Sequence, residues 1–152
     1  MFHVSSIEPD VALKTYLSGK VFVGSGESKV EVPIYGDWER PTNLVPDDFI
    51  SVYTNGDIVG VGADTPYATG FLMVSLYCRL NDDGTVKKHR INKILEQVDT
   101  IVDKKIAGDY YFYFDARRFI TPTTPNQSTG YSVTTLNLIF RTTSTINKPV
   151  TP

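Results

Sequence analysis

With 152 residues, 41% of them hydrophobic and 21% charged, the chain has the size and composition of one globular domain, which excludes an intrinsically disordered chain. A net charge of −2 supplies no drive toward nucleic acid or an anionic membrane. The one cysteine, Cys78, excludes an internal disulfide and a cysteine-rich zinc site, and it permits a reducing compartment.

Residues 1–10 lack a basic stretch followed by an apolar run, and no run of about 18 apolar residues occurs, so neither a signal peptide nor a membrane span is expected. Residues 8–18 predict the first helix. Ser5 and Glu8 have capping-box spacing, Pro9 suits a first turn, and Pro9, Ala12, Leu13, Tyr16 and Leu17 form one stripe before Gly19. Residues 20–34 predict two short strands around the polar turn Gly24-Ser25-Gly26. Residues 35–48, with glycine, two prolines and an asparagine, predict a loop.

Residues 49–54 predict a strand. Asn55-Gly56 then signals a two-residue hairpin turn, because both central residues of that turn need positive φ. Residues 60–70 predict a Gly/Thr/Pro loop. Residues 71–80 form the clearest strand, with Leu72, Val74, Leu76, Cys78 and Leu80 on one face and Phe71, Met73 and Tyr77 on the other. After the turn at 81–84, Thr85 is placed to cap a helix over 86–105. Ile91, Ile94, Leu95, Val98, Ile101 and Val102 give it an apolar stripe, and Gly108 is read as its stop. Residues 110–114 predict a short aromatic strand and 121–130 a polar loop. Residues 131–142 predict a last strand with Leu136, Leu138 and Phe140 inward, and 143–152 form a polar tail on a domain covering 1–142. The resulting fold class is α+β, a mainly antiparallel sheet with two helices packed on one face.

The residue patterns that invite chemistry all fall short of it. Gly24-Ser25-Gly26-Glu27-Ser28-Lys29 lacks Walker spacing and sits between strands. Asp47-Asp48 and Asp82-Asp83-Gly84 lack the alternating acids and distal glutamate of a calcium loop, so turn acids are expected there. His3 stands near the terminus, and His89 stands in a basic helical turn with Lys87, Lys88 and Arg90; neither is set beside a nucleophile. Cys78, in mid-strand, reads as a buried inert thiol. The run Tyr110-Tyr111-Phe112-Tyr113-Phe114, near Arg117 and Arg118, fits either a partner surface or a stacking platform for sugars or single-stranded nucleic acid, although the aromatic motif of RNA-binding sheets is missing. No catalytic residue, metal ligand or cofactor is assigned.

The order from Phe71-Leu72-Met73-Val74-Ser75-Leu76-Tyr77-Cys78-Arg79, through an acidic turn and an amphipathic helix, to an aromatic strand and a long strand ending Leu138-Ile139-Phe140-Arg141 resembles the tail terminator, or tail completion, proteins of long-tailed bacteriophages and the related neck proteins. The resemblance covers about residues 8–143 by element order. It implies a virion structural protein of the tail or neck, assembled in the host cytoplasm, and not an enzyme. Copies would form a homo-hexameric ring on the tail tube protein and face the head–tail connector protein, with DNA passing through the lumen without specific binding and no membrane contact. A ring of that kind needs buried aromatic and arginine anchors, for which Trp38, Tyr67, Tyr111, Tyr113 and Arg117 are the candidates; Asp57 and Asp64 are candidates for the lumen. A head-completion adaptor and a carbohydrate- or single-strand-binding module are the alternatives.

Overall fold

The computed structural model describes residues 9–24, 26–36, 46–60, 68–108, 110–114, 120–126 and 129–142, with backbone alone at 55–60, 68 and 120–122. In chain order the elements are α1 (Pro9–Leu17), β1 (Phe22–Val23), β2 (Val30–Glu31), β3 (Ile34–Tyr35), β4 (Asp48–Gly60), β5 (Ala68–Arg79), α2 (Lys88–Val102), β6 (Lys105–Ala107), β7 (Tyr110–Phe114), β8 (Ile120–Asn126) and β9 (Tyr131–Thr142). β1 and β2 make a small hairpin around the 3-10 turn Gly26–Ser28. The other seven strands form one sheet in the order β3-β4-β5-β9-β7-β6, with β8 also on β9. Every pairing in it is antiparallel except β3 with β4. The α+β class expected from element order is therefore what the chain adopts.

α1 buries Pro9, Ala12, Leu13 and Leu17, four of the five stripe residues, and Tyr16 is half-buried. Gly19 follows at φ +79°, a backbone state that only glycine enters without steric cost, so the helix ends there. Ser5 and Glu8 lie outside the described residues. α2 buries Ile91, Ile94, Val98 and Val102. A fifteen-residue helix is marginal alone in water, so burial of this face, at about 1.5–3 kcal/mol per side chain, is what holds it. The two helices and the inner face of the sheet share one core, which includes Leu72, Val74, Leu76, Cys78, Phe112, Leu136, Leu138 and Phe140.

Several sequence expectations are corrected. Asn55-Gly56 is not a hairpin turn, because β4 runs through it. Asn55 pairs with Phe71 and Val59 with Thr69, so two extra β4 residues are absorbed as a bulge and the strand continues to Gly60. Of the loop expected over 60–70, residues 60 and 68–70 are strand, and 61–67 lie outside the described residues. Residues 121–130 are not wholly loop. β8 pairs with Tyr131–Leu136 of β9, and its Pro122 and Pro125 are tolerated because it is a margin strand whose far side needs no donors. β7 and β8 thus lie end to end along the same side of β9.

α2 is shorter at both ends than the 86–105 expected. Thr85 does not cap it; its N–H and hydroxyl both donate to Asp83 Oδ1 at 3.0 and 2.6 Å, which holds that exposed carboxyl below its usual range. Lys104, not Gly108, takes the turn after the helix, at φ +59°. Lys105–Ala107 is then a strand on β7, and Gly108, also left-handed, turns β6 into β7. A left-handed lysine costs about 1–2 kcal/mol, partly offset by the greater unfolded-state freedom of glycine. Lys104→Gly should therefore stabilise the fold by about 0.5–1 kcal/mol, read as a raised urea midpoint at unchanged slope.

Candidate functional site

Strand alternation decides what each face of the sheet carries. The even-numbered residues of β5 point to the helices. The odd-numbered ones register with odd-numbered residues of β4, β9 and β7 on the opposite face, which carries no helix among the described residues. That face has two unlike ends.

One end is closed by aromatic packing. Phe49, 1% exposed, stacks on Tyr77 with centroids 4.5 Å apart and planes at 4°, and it meets Tyr35 and Tyr131 edge-on at 5.9 and 5.5 Å. The Tyr131 hydroxyl donates to the Pro46 carbonyl and accepts from Arg79 Nη2 at 3.1 Å, and Arg79 Nε donates to Asp47 at 2.9 Å. Hydroxyls link the middle of the face: Tyr53 lies 3.2 Å from Ser75, and Ser75 lies 2.8 Å from Thr135.

The other end has no covering element among the described residues. Two registered rows cross it. One runs Phe71, Ile139, Tyr113, and the next runs Thr69, Arg141, Tyr111, Ile106. Phe71 is 55% exposed and Ile106 62%, two of the four large apolar side chains that stand exposed among the described residues. Between them Tyr111 and Tyr113 stack at 5.3 Å and 27°, both half-buried, and the Arg141 guanidinium stands 5.2 Å from the Tyr111 ring centroid. Exposed aliphatic and aromatic side chains gathered around one arginine are the composition of a protein-contact surface.

Of the sequence candidates, Tyr111 and Tyr113 are brought together in this patch. Trp38, Tyr67, Arg117 and Asp64 lie outside the described residues, and Asp57 is described only as backbone in the β4 bulge. Phe71, Ile106 and Arg141 were not singled out from sequence. Alternation along β9 places Arg141 with Ile139 and was the available signal. Ile106 was hidden because it was read next to a helix end instead of on a strand.

A second place holds ionisable groups close together without leaving one free. Asp48, read as a turn acid, is the first residue of β4 and is 6% exposed. Arg90, read as solvated, donates to it from Nε at 3.0 Å and also from Nη2. The pair flanks a cleft of about 320 Å3 between the β1–β2 hairpin and the start of β4. Cys78 is 1% exposed beside it; burial first, then the neighbouring Asp48 carboxylate, pushes its thiol up to about 12. A thiol so placed stays protonated at neutral pH and is a poor nucleophile. Among the described residues no three His, Cys, Asp or Glu side chains are grouped to hold a metal ion, and no helix is long and apolar enough to cross a membrane.

Fold and site together define a class: an α+β domain whose sheet has one face covered by helices and one partly bare, aromatic end. No family model matches the chain, and no curated protein matches it. A solved structure designated only by a sequence code is similar to it, with a TM-score of 0.54 and 10% identity, over 79% of this chain and 83% of that one. At that identity the likeness concerns the fold alone.

Proposed function

We propose that this chain is a structural subunit of a bacteriophage virion, a tail terminator that caps the tail tube as a ring of its own copies and meets the head connector. The observation that carries this reading is the bare patch of Phe71, Ile106, Tyr111, Tyr113 and Ile139 around Arg141. It is an apolar surface with no covering element among the described residues. Ring assembly makes no covalent bond; it needs anchors that lose water on contact, and stacked tyrosines beside an arginine supply them at low entropic cost. The element order shared with tail terminators supports the choice of this assembly over others.

Electron microscopy of particles made without the gene tests the role. Tail tubes of uncontrolled length are expected; tails of normal length unattached to heads would assign the head-completion role instead. Tyr113→Ala is expected to leave the monomer folded and to weaken its association with itself or with tube protein, measured by sedimentation.

A second reading has one observation in its favour. The Tyr111–Tyr113 stack with Arg141 over it is also a geometry on which sugars or bases stack. Glycan or oligonucleotide binding that Tyr111→Ala and Tyr113→Ala abolish would move the assignment there.

A further inference from the structure

The cleft beside Asp48 and Arg90 has apolar walls and one polar anchor with donors to spare. Its walls are Val23, Val30, Val32, Pro33 and Pro46. The register Val23↔Val30 puts those two side chains on one face of the β1–β2 hairpin, and alternation puts Val32 on the same face. Phe22 and Glu31 share the other face. Val32 is 2% exposed, whereas Val30 is 65% exposed, more than any other large apolar side chain described. An apolar body lying in the cleft would take that side chain out of water.

Both walls are fixed. On the hairpin side, Gln97 of α2 accepts from the Phe22 N–H at 3.0 Å and donates to the Phe22 carbonyl at 2.7 Å, pairing with the strand as a neighbouring backbone would. On the β4 side, the Pro46 carbonyl accepts from the Tyr131 hydroxyl. The anchor is Arg90. Asp48 meets it with both carboxylate oxygens, at Nε and at one N–H of Nη2. Nη1 and the other N–H of Nη2 have no acceptor among the described residues, and the side chain keeps 35% of its surface where it lines the cleft. A carboxylate that fixes one edge of a guanidinium holds the opposite edge in place as a rigid fork for a second oxyanion.

The surrounding charge limits what can enter. Asp48 is neutralised by Arg90, and Asp47, also on the cleft, is bound by Arg79 at 2.9 Å. Two neutral pairs leave room for a single negative charge, while a dianion would be repelled by both carboxylates.

We infer that this cleft binds a monocarboxylate with a compact apolar body, its carboxylate on the outer edge of Arg90 and its apolar part against Val23, Val30 and Val32. The volume of about 320 Å3 is at the small end of ligand sites, which suits a free acid or the last residue of a peptide. The inference stands apart from the assembly reading, because the cleft and the bare patch share no residue.

NMR titration of the whole labelled chain tests it, with isocaproate, isocaproamide, isohexylamine and a tripeptide ending in leucine with a free carboxylate as probes. The acid or the peptide should shift the Arg90 Nε–H and Val30 methyl signals saturably, with a Kd of about 1 mM or tighter. Whichever binds tighter identifies a free acid or a chain terminus as the source. The amide and the amine should bind weaker by about tenfold or more, since neither brings an anion to the fork. Val30→Asp, at an exposed position, should leave the fold intact and weaken the acid by about tenfold or more, because it sets a carboxylate beside the incoming one. Arg90→Lys keeps the charge but loses the fork and should weaken the acid similarly; if that variant fails to fold, Val30→Asp and the amide still decide. No saturable shift from either carboxylate, an amide that binds as well as its acid, or an amine that binds better would overturn the inference.

Discussion

Phe49→Ala is expected to cost about 3–5 kcal/mol of stability, among the largest losses for any single truncation in this fold. The ring is 1% exposed, lies flat on Tyr77, and is met edge-on by two more tyrosines, so its removal forfeits the transfer energy and the aromatic contacts together. Its neighbours cannot close the gap, because Tyr131 is tied by its hydroxyl to Pro46 and Arg79. The informative control is Phe71→Ala. Phe71 points from the same face of the same sheet, yet it is 55% exposed, and its truncation should change stability by no more than about 0.5 kcal/mol. Urea unfolding of the two variants separates the closed end from the open end. Equal losses would mean that Phe71 is covered in solution and that the patch is not a free surface.

Arg90→Leu is expected to cost about 2–4 kcal/mol, for an electrostatic reason. The Asp48 side chain is 5% exposed, and its carboxylate is neutralised by Arg90, whose own side chain keeps 35% of its surface. Removing the guanidinium leaves a buried carboxylate without its cation, and the remaining water contact of Arg90 places the loss below the full range for a wholly buried pair. The pair joins the start of β4 to the first turn of α2, a helix that begins at Lys88 without a side-chain cap. Adding Asp48→Asn to Arg90→Leu should recover part of the loss, because an amide is cheaper to bury than an unpaired charge. A double variant less stable than Arg90→Leu alone would show that Asp48 contributes through something other than that pair.

The readable parts of this sequence were those where one short segment decides its own burial. The Ile91, Ile94, Val98 and Val102 stripe of α2, the Leu72 to Cys78 alternation of β5 and the inward Leu136, Leu138 and Phe140 of β9 are all periodic and all buried. β7 was read with its observed bounds, and its odd-numbered tyrosines face outward from the core as its alternation requires. The misreadings share a cause. Asn55-Gly56 has the chemistry of a turn, and the prolines of β8 have the chemistry of a loop, but each stretch is held as strand by a ladder to a distant partner. Ile106 sat beside a helix whose end was set by Lys104, a residue with no sequence preference for the conformation it takes.

Sequence by itself therefore determined the two helices and strands β5, β7 and β9, the inward faces of α1, α2, β5 and β9, and the α+β class, because periodicity of 2 or 3.6 is a property of neighbouring residues. Only the tertiary structure decided that Phe71, Ile139, Tyr113, Arg141, Tyr111 and Ile106, spread over 71 positions of chain, stand side by side on four adjacent strands. It alone paired Asp48 with Arg90 and left the β1–β2 hairpin on the other side of the sheet from that patch. Strand order and register come from which surfaces bury one another across the whole core, and no local pattern encodes that choice.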